Sequence, residues 1–138
     1  MRTIKFRGLR TDGKGWEIGN LINWHQALKP RIIWYTEHGE HAQELDFEET
    51  NFEVSPESVG QFTGLHDKNG KEIYEGDLLT LDSYNFRYLK DTIWEVIYSE
   101  SDTMFKFKNN KNSRETGRYG FHSFYVIGNI HENPELVK

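Results

Sequence analysis

Four side chains in one short stretch are the first candidates for chemistry in this sequence: His66, Asp67, Glu75 and Asp77. Two carboxylates two residues apart, as in Glu75-Gly76-Asp77, can hold a divalent ion or poise one carboxyl as a general base. With His66-Asp67 nearby, they outline a metal-dependent hydrolase. The same residues have a structural reading, in which carboxylates flanking a turn accept hydrogen bonds from its backbone amides. That reading is preferred here, and no catalytic residue is assigned. A second cluster, Glu37-His38-Gly39-Glu40-His41, would put His38 and His41 on one helix face as zinc ligands. Gly39 makes that helix poor, so neither a metal nor a cofactor is assigned. The sequence contains no Gly-x-Ser-x-Gly elbow, no phosphate-cradling loop and no dinucleotide fingerprint. Ser55, Ser58 and Ser123 have no obvious catalytic partner.

A different chemistry is suggested by residues Phe105 to Tyr119, where aromatic and basic residues interleave. Lys106, Lys108, Lys111, Arg114 and Arg118 could neutralise the phosphates of a single-stranded nucleic acid. Stacking on bases would require the rings to share the exposed face, whereas strand alternation turns Phe105 and Phe107 to the core. A solvated hairpin tip is therefore the preferred reading, and nucleic-acid binding the alternative.

The elements that must position these residues are short strands. The chain has 138 residues, enough for one domain with its own core. It has no cysteine, which excludes disulfides, thiol nucleophiles and Cys-ligated zinc. Phe, Trp and Tyr make up 14% of it, and 12 glycines supply turns between the strands that such residues favour. The net charge of -5 disfavours non-specific binding to duplex DNA. The charge is uneven: acids crowd Glu37 to Glu57, with no Lys or Arg between Arg31 and Lys68, while bases gather at Arg2 to Arg10 and Lys106 to Arg118. The opening residues alternate instead of forming an apolar run, and no run approaches the ~20 residues of a membrane helix. A soluble, cytoplasmic protein is expected.

Alternation predicts a strand over Thr3 to Leu9, with Ile4 and Phe6 inward. Asp12-Gly13 then turns the chain into Trp16 to Asn23, with Trp16, Ile18 and Ile22 sharing a face. A helical turn is expected at Asn23 to Lys29, a strand buried on both faces at Arg31 to Thr36, and a solvated loop at Glu37 to Glu49. Asn51 to Ser55 reads as a strand, and Ser55-Pro56-Glu57 as a helix start with Ser55 as N-cap, stopped by Gly60. Leu79 and Leu81 begin a further strand, Thr92, Trp94, Val96 and Tyr98 form the core face of the next, and Met104 to Lys108 alternates as another. Phe124 to His131 closes the set, with Phe124, Val126 and Ile130 inward. Asn109 to Gly120 is polar and loop-like. Asn133 to Leu136 reads as a terminal turn docking Leu136.

Between these strands lies the loop-rich block Val59 to Leu81. Asp67-Lys68-Asn69-Gly70 is a tight turn, Ile73 and Tyr74 can plug the core, and Glu75-Gly76-Asp77 reverses the chain into an apolar strand. Gly60-Gln-Phe-Thr-Gly-Leu65, Asp67-Lys-Asn-Gly-Lys71 and Ile73-Tyr-Glu-Gly-Asp-Leu78 resemble the hallmark segment of the YopX family, small proteins of bacteriophages and prophages. Ile4-Lys-Phe-Arg-Gly8 resembles that family's first strand, and Val126 to Leu136 its C-terminal signature. The shared residues are Gly60, Thr63, Gly64, Leu65, Asp67, Asn69, Gly70, Ile73, Tyr74, Glu75, Gly76 and Asp77, with Gly128, Asn129 and Pro134 near the end.

The resemblance implies a β-rich fold of phage or prophage origin and carries over no catalytic or ligand residue. The expected architecture is a single domain over 1–138 with subdomains 1–58 and 59–138. Antiparallel strands form the first, a small SH3-like barrel or curled sheet the second, with few helical turns. The expected function is a non-catalytic domain that binds an unknown host or phage protein or a second copy of itself. A nucleic-acid module and a metal-dependent hydrolase are the alternatives.

Overall fold

The computed structural model describes residues 1–23, 28–33, 51–81, 91–113, 115–116 and 123–138. These form two antiparallel sheets, and the chain divides into two compact units, Met1–Gln61 and Phe62–Lys138. The expectations for Glu37 to Glu49, for Trp34 to Thr36 and for a helical turn through 24–27 lie outside the described residues.

In the first unit, β1 (Phe6–Leu9), β2 (Trp16–Ile22), β3 (Arg31–Ile33) and β4 (Asn51–Glu53) form a meander. On the far side of β1, Phe6 and Arg7 pair with Gln61 and Gly60, the first residues of β5 (Gly60–His66). Arg10 also bridges Val54, and the Ser55 amide donates to the Leu9 carbonyl at 2.8 Å, so the end of β1 returns to the end of β4.

Four expectations are corrected in this unit. The first strand begins at Phe6 and not at Thr3, and Ile4 is 56% exposed. The buried side of β2 is the opposite of the one alternation suggests. Ile18 is 46% exposed, while Glu17 and Gly19 are buried. The reason is physical. A Cβ on Gly19 would stand 2.0 Å from the Ile33 carbonyl oxygen, and one on Gly8 2.7 Å from Val54. The core residues Ile32 and Val54 therefore occupy space that only glycine leaves open. Glu17 tolerates the same side because the Arg10 guanidinium donates to it at 2.9 Å. In β3 only Ile32 is fully buried, its neighbours being half-buried. A 3-10 turn at Pro56–Ser58 replaces the expected helix, and Ser55 does not cap it: its hydroxyl donates to Glu57 at 2.6 Å.

The second unit holds the rest of β5, β6 (Glu72–Tyr74), β7 (Asp77–Leu81), β8 (Ile93–Ser99), β9 (Met104–Asn109), β10 (Glu115–Thr116) and β11 (Phe124–Asn129). The block Val59 to Leu81 is thus mostly strand, not loop. From Phe62 onward β5 pairs with β6, and a five-stranded sheet runs β10-β9-β8-β7-β11. Among the described residues no ladder joins β10 to β11. Its core is Ile73, Leu79, Leu81, Trp94, Val96, Phe107 and Phe124. Phe107 and Phe124 stack at 4.7 Å, and Trp94 meets Phe124 edge-on.

The inward face of β8 is as expected at Thr92, Trp94 and Val96, but Tyr98 is 43% exposed while its neighbour Ser99 is buried, so the alternation breaks at the end of the strand. There it pairs edge-on with Phe105 at 5.4 Å. The supposed loop after Asn109 contains β10. A bulge between Val126 and Gly128 pushes Ile127 outward and ends the alternation that placed Ile130 in line with Val126. Pro134–Val137 forms a 3-10 turn with Leu136 half-buried.

Candidate functional site

The signature residues of the second unit form one hydrogen-bonded framework. At its start, Gly64 takes a φ of 86°, and the β5–β6 register shifts between Phe62 and His66. The Thr63 hydroxyl donates to the Ile73 carbonyl at 2.8 Å and accepts the Leu65 amide at 3.2 Å, which holds this irregular stretch in place. Phe62 then contacts Tyr74 at 5.4 Å between ring centres, and the Tyr74 hydroxyl donates to Glu72 at 2.7 Å.

Asp67 is the hub. One carboxylate oxygen accepts the amides of Asn69 (2.8 Å) and Lys71 (2.9 Å), and the other accepts the Val126 amide of β11 at 3.0 Å. The Lys68 amide donates to the Phe124 carbonyl at 2.9 Å, so the turn lies along the outer edge of β11. Gly70 completes the turn with a φ of 81°. Burial opposes ionisation of Asp67 and is the largest influence on it, yet the Val126, Lys71 and Asn69 amides together hold its carboxyl below the usual range.

A second carboxylate plays a related part. Asp77, 1% exposed, accepts the Tyr74 amide at 2.8 Å across the Glu75-Gly76 reversal. Gly76, at a φ of 83°, donates to the Val96 carbonyl and accepts the Ile130 amide. Near the C-terminus, Asn129 accepts the amides of His131 and Glu132, and Asn133 accepts the Asn129 amide. A Cβ on Gly128 would lie 2.3 Å from the Asn133 side-chain oxygen. Pro134 opens the last 3-10 turn.

Two of the four candidates for chemistry, Asp67 and Asp77, are thus engaged by backbone amides. His66, at the end of β5, is exposed and edge-on to Phe62 at 5.6 Å, whereas Asp67, just past the strand, is buried. Among the described residues no group of three or more His, Cys, Asp or Glu could hold a metal ion. Glu37, His38 and His41 lie outside the described residues. Ser58 is buried, its hydroxyl donating to the Ser55 carbonyl and accepting the Leu9 amide.

The basic stretch divides. Lys106 is held by Asp102, which also accepts the hydroxyls of Ser99 and Ser101. Led by the Lys106 hydrogen bond, these contacts bring the Asp102 carboxyl down to about 2. Lys108 sits between Glu95 and Glu115 in the sheet register. Lys111 is exposed, and Arg114 and Arg118 lie outside the described residues. Phe107 faces the core, away from the lysines. Sequence reasoning passed over Arg10, which donates to Asp12 and Glu17 and lies 4.1 Å from the Phe52 ring centre. A hollow of about 330 Å³ opens beside it, also lined by Arg31, Asn51 and Glu53. Here the signal was only the Asp12-Gly13 turn.

No helix among the described residues is long and apolar enough to cross a membrane. Comparison with known proteins returns no match among curated proteins. Among solved structures, protein EF1440 from Enterococcus faecalis is similar over the full length of both chains, at 26% identity and a TM-score of 0.59. Residues 5–138 match the family described as YopX protein, which takes in the framework around Asp67 and Asn129 together, and the chain belongs to that family.

Proposed function

We propose that this chain is a non-catalytic phage or prophage accessory domain that acts in the bacterial cytoplasm by binding a protein partner or a second copy of itself. The observation that carries this reading is the occupancy of Asp67. The best-placed acid of the signature is buried and holds three backbone amides, two within its own turn and one from β11. A carboxylate so held is a poor general base, because proton uptake would weaken all three contacts. The signature is better explained as a frame than as a reaction centre.

Further support comes from apolar side chains left at the surface. Ile4 and Ile18 of the first unit and Tyr98, Met104 and Ile127 of the second are each more than 40% exposed. In the second unit, the order β10-β9-β8-β7-β11 returns the last strand beside the first. That order is in keeping with an SH3-like barrel, which we favour for this unit, although fold alone assigns no activity.

Size-exclusion chromatography with light scattering, followed by pull-down from lysate of the bacterial host, tests the proposal. A defined oligomer or a stoichiometric protein partner is expected. A strict monomer that captures nothing would overturn it.

A further inference from the structure

The signature turn holds a reactive dipeptide inside a clamp. Asn69 precedes Gly70, and both are exposed. The side-chain carbonyl carbon of an asparagine lies within five-membered-ring reach of the next peptide nitrogen, and a following glycine leaves that approach free of a side chain. Space is also open here, since a Cβ on Gly70 would meet nothing within 4 Å.

Against this stands the way Asp67 grips the turn. Three consecutive amides donate to it: Asn69 and Lys71 to one carboxylate oxygen at 2.8 and 2.9 Å, and Gly70 to its backbone carbonyl at 3.0 Å. The Asp67 amide donates in return to the Lys71 carbonyl at 2.7 Å. Ring closure must remove the Gly70 amide proton and swing that nitrogen onto the Asn69 side chain. The bond to the Asp67 carbonyl retains the proton, and the pinned amides on either side prevent the swing.

We propose that Asn69-Gly70 is a spontaneous deamidation site, suppressed in the folded chain by the Asp67 clamp and active whenever the turn opens. The Gly70 nitrogen bonds to the Asn69 side-chain carbonyl carbon, and the bond from that carbon to the side-chain nitrogen breaks. Ammonia leaves with the proton from the Gly70 amide. Water then opens the cyclic imide at either carbonyl, giving an aspartate or a β-linked isoaspartate. The latter adds a methylene to the main chain, which the ring closed between Asp67 and Lys71 cannot accept unchanged. The same turn holds the Val126 amide and the Phe124 carbonyl, so conversion releases that stretch of β11. The inference is independent of what the chain binds.

The test incubates the full chain at neutral pH, folded in buffer and unfolded in guanidinium chloride, and locates isoaspartate by peptide mass spectrometry. Conversion at residue 69 is expected to be at least about tenfold slower in the folded protein. Hydrogen exchange of the Gly70 amide needs the same release from Asp67, so its protection factor should match the retardation within about threefold. Asp67→Ala, with its fold checked by circular dichroism, should convert at close to the unfolded rate. Asn69→Gln, whose ring would be six-membered, should lose the product. In the purified isoaspartyl form the Val126 amide should exchange faster. Equal rates folded and unfolded, no isoaspartate at residue 69 in the unfolded chain, or a retardation far from the Gly70 protection factor would each overturn the proposal. Unchanged Val126 protection would overturn the release of β11. Should Asp67→Ala fail to fold, the wild-type rate and protection factor decide alone.

Discussion

The carboxylate of Asp67 accepts the amide of Val126 at 3.0 Å, joining the turn after β5 to the middle of an edge strand 59 positions later. An edge strand exposes unpaired donors and acceptors that invite another strand. Here the Val126 amide is taken by Asp67 and the Phe124 carbonyl by the Lys68 amide, so the signature turn covers that stretch of β11. The residues that identify the family thus close an edge of the sheet, and they do so from a turn that is itself held by the same carboxylate.

Replacing Asp67 with Asn should separate these two roles. An amide oxygen can still serve Asn69 and Lys71, but the amide nitrogen cannot accept from Val126. The expected loss is about 2 kcal/mol, as for a buried donor deprived of a charged partner, and roughly 8 °C in Tm. Thermal denaturation followed by circular dichroism measures it. A change within 1 °C would show that the contact contributes nothing.

Stability should also fall in acid. Because the folded-state pKa of Asp67 is depressed, its contribution is complete above the unfolded value of about 3.9 and is lost as pH falls through the folded value. Asp102, brought down to about 2, acts in the same sense at the exposed β8–β9 turn. Urea midpoints followed by tryptophan fluorescence should be flat above about pH 5 and decline below about pH 4. The Asp67→Asn protein should decline less steeply. Equal slopes for the two proteins would remove Asp67 as a source.

Gly128→Ala should destabilise the C-terminal turn, because the new Cβ must displace the Asn133 side chain that accepts the Asn129 amide. A cost of about 1–3 kcal/mol is expected from such overpacking. Adding Asn133→Ala should make the pair less costly than the sum of the single changes. Simple additivity in urea denaturation would show that the two positions do not compete for the space.

Neutralising the basic stretch should matter little to nucleic acid. Lys106 is engaged by Asp102, and Lys108 lies opposite Glu95 in register. Wild-type protein and a Lys106→Gln/Lys108→Gln/Lys111→Gln variant should both show no dT15 binding in fluorescence anisotropy at 50 mM salt. Wild-type binding that is salt-sensitive and absent in the variant would restore the nucleic-acid reading.

What the sequence revealed follows the range of the interactions involved. The Asp67-to-Gly70 turn and the Glu75-to-Asp77 reversal were legible, because Asx and glycine turn chemistry acts within a few residues. The core face of β8 was legible at Trp94 and Val96 by simple alternation. The inward side of β2 was not, because it is set by absent Cβ atoms at Gly8 and Gly19 and by an ion pair from Arg10 to Glu17. Alternation treats glycine as neutral and glutamate as outward, and both rules fail together there. The bulge beside Ile127 escaped for a similar reason, since one inserted residue changes which face follows. The Asp67–Val126 contact lies beyond any local pattern, so the family resemblance marked the residues without showing what they join.

The central claim is that the signature carboxylate serves the backbone and is not held ready for chemistry. A carbon-13 NMR titration of the Asp67 carboxyl, read together with the Val126 amide shift, tests it most directly. The account predicts a midpoint below the ordinary aspartate value, with the Val126, Asn69 and Lys71 amides moving on the same curve. A midpoint at or above about 4, with those amides unmoved, would show a free carboxylate and contradict it.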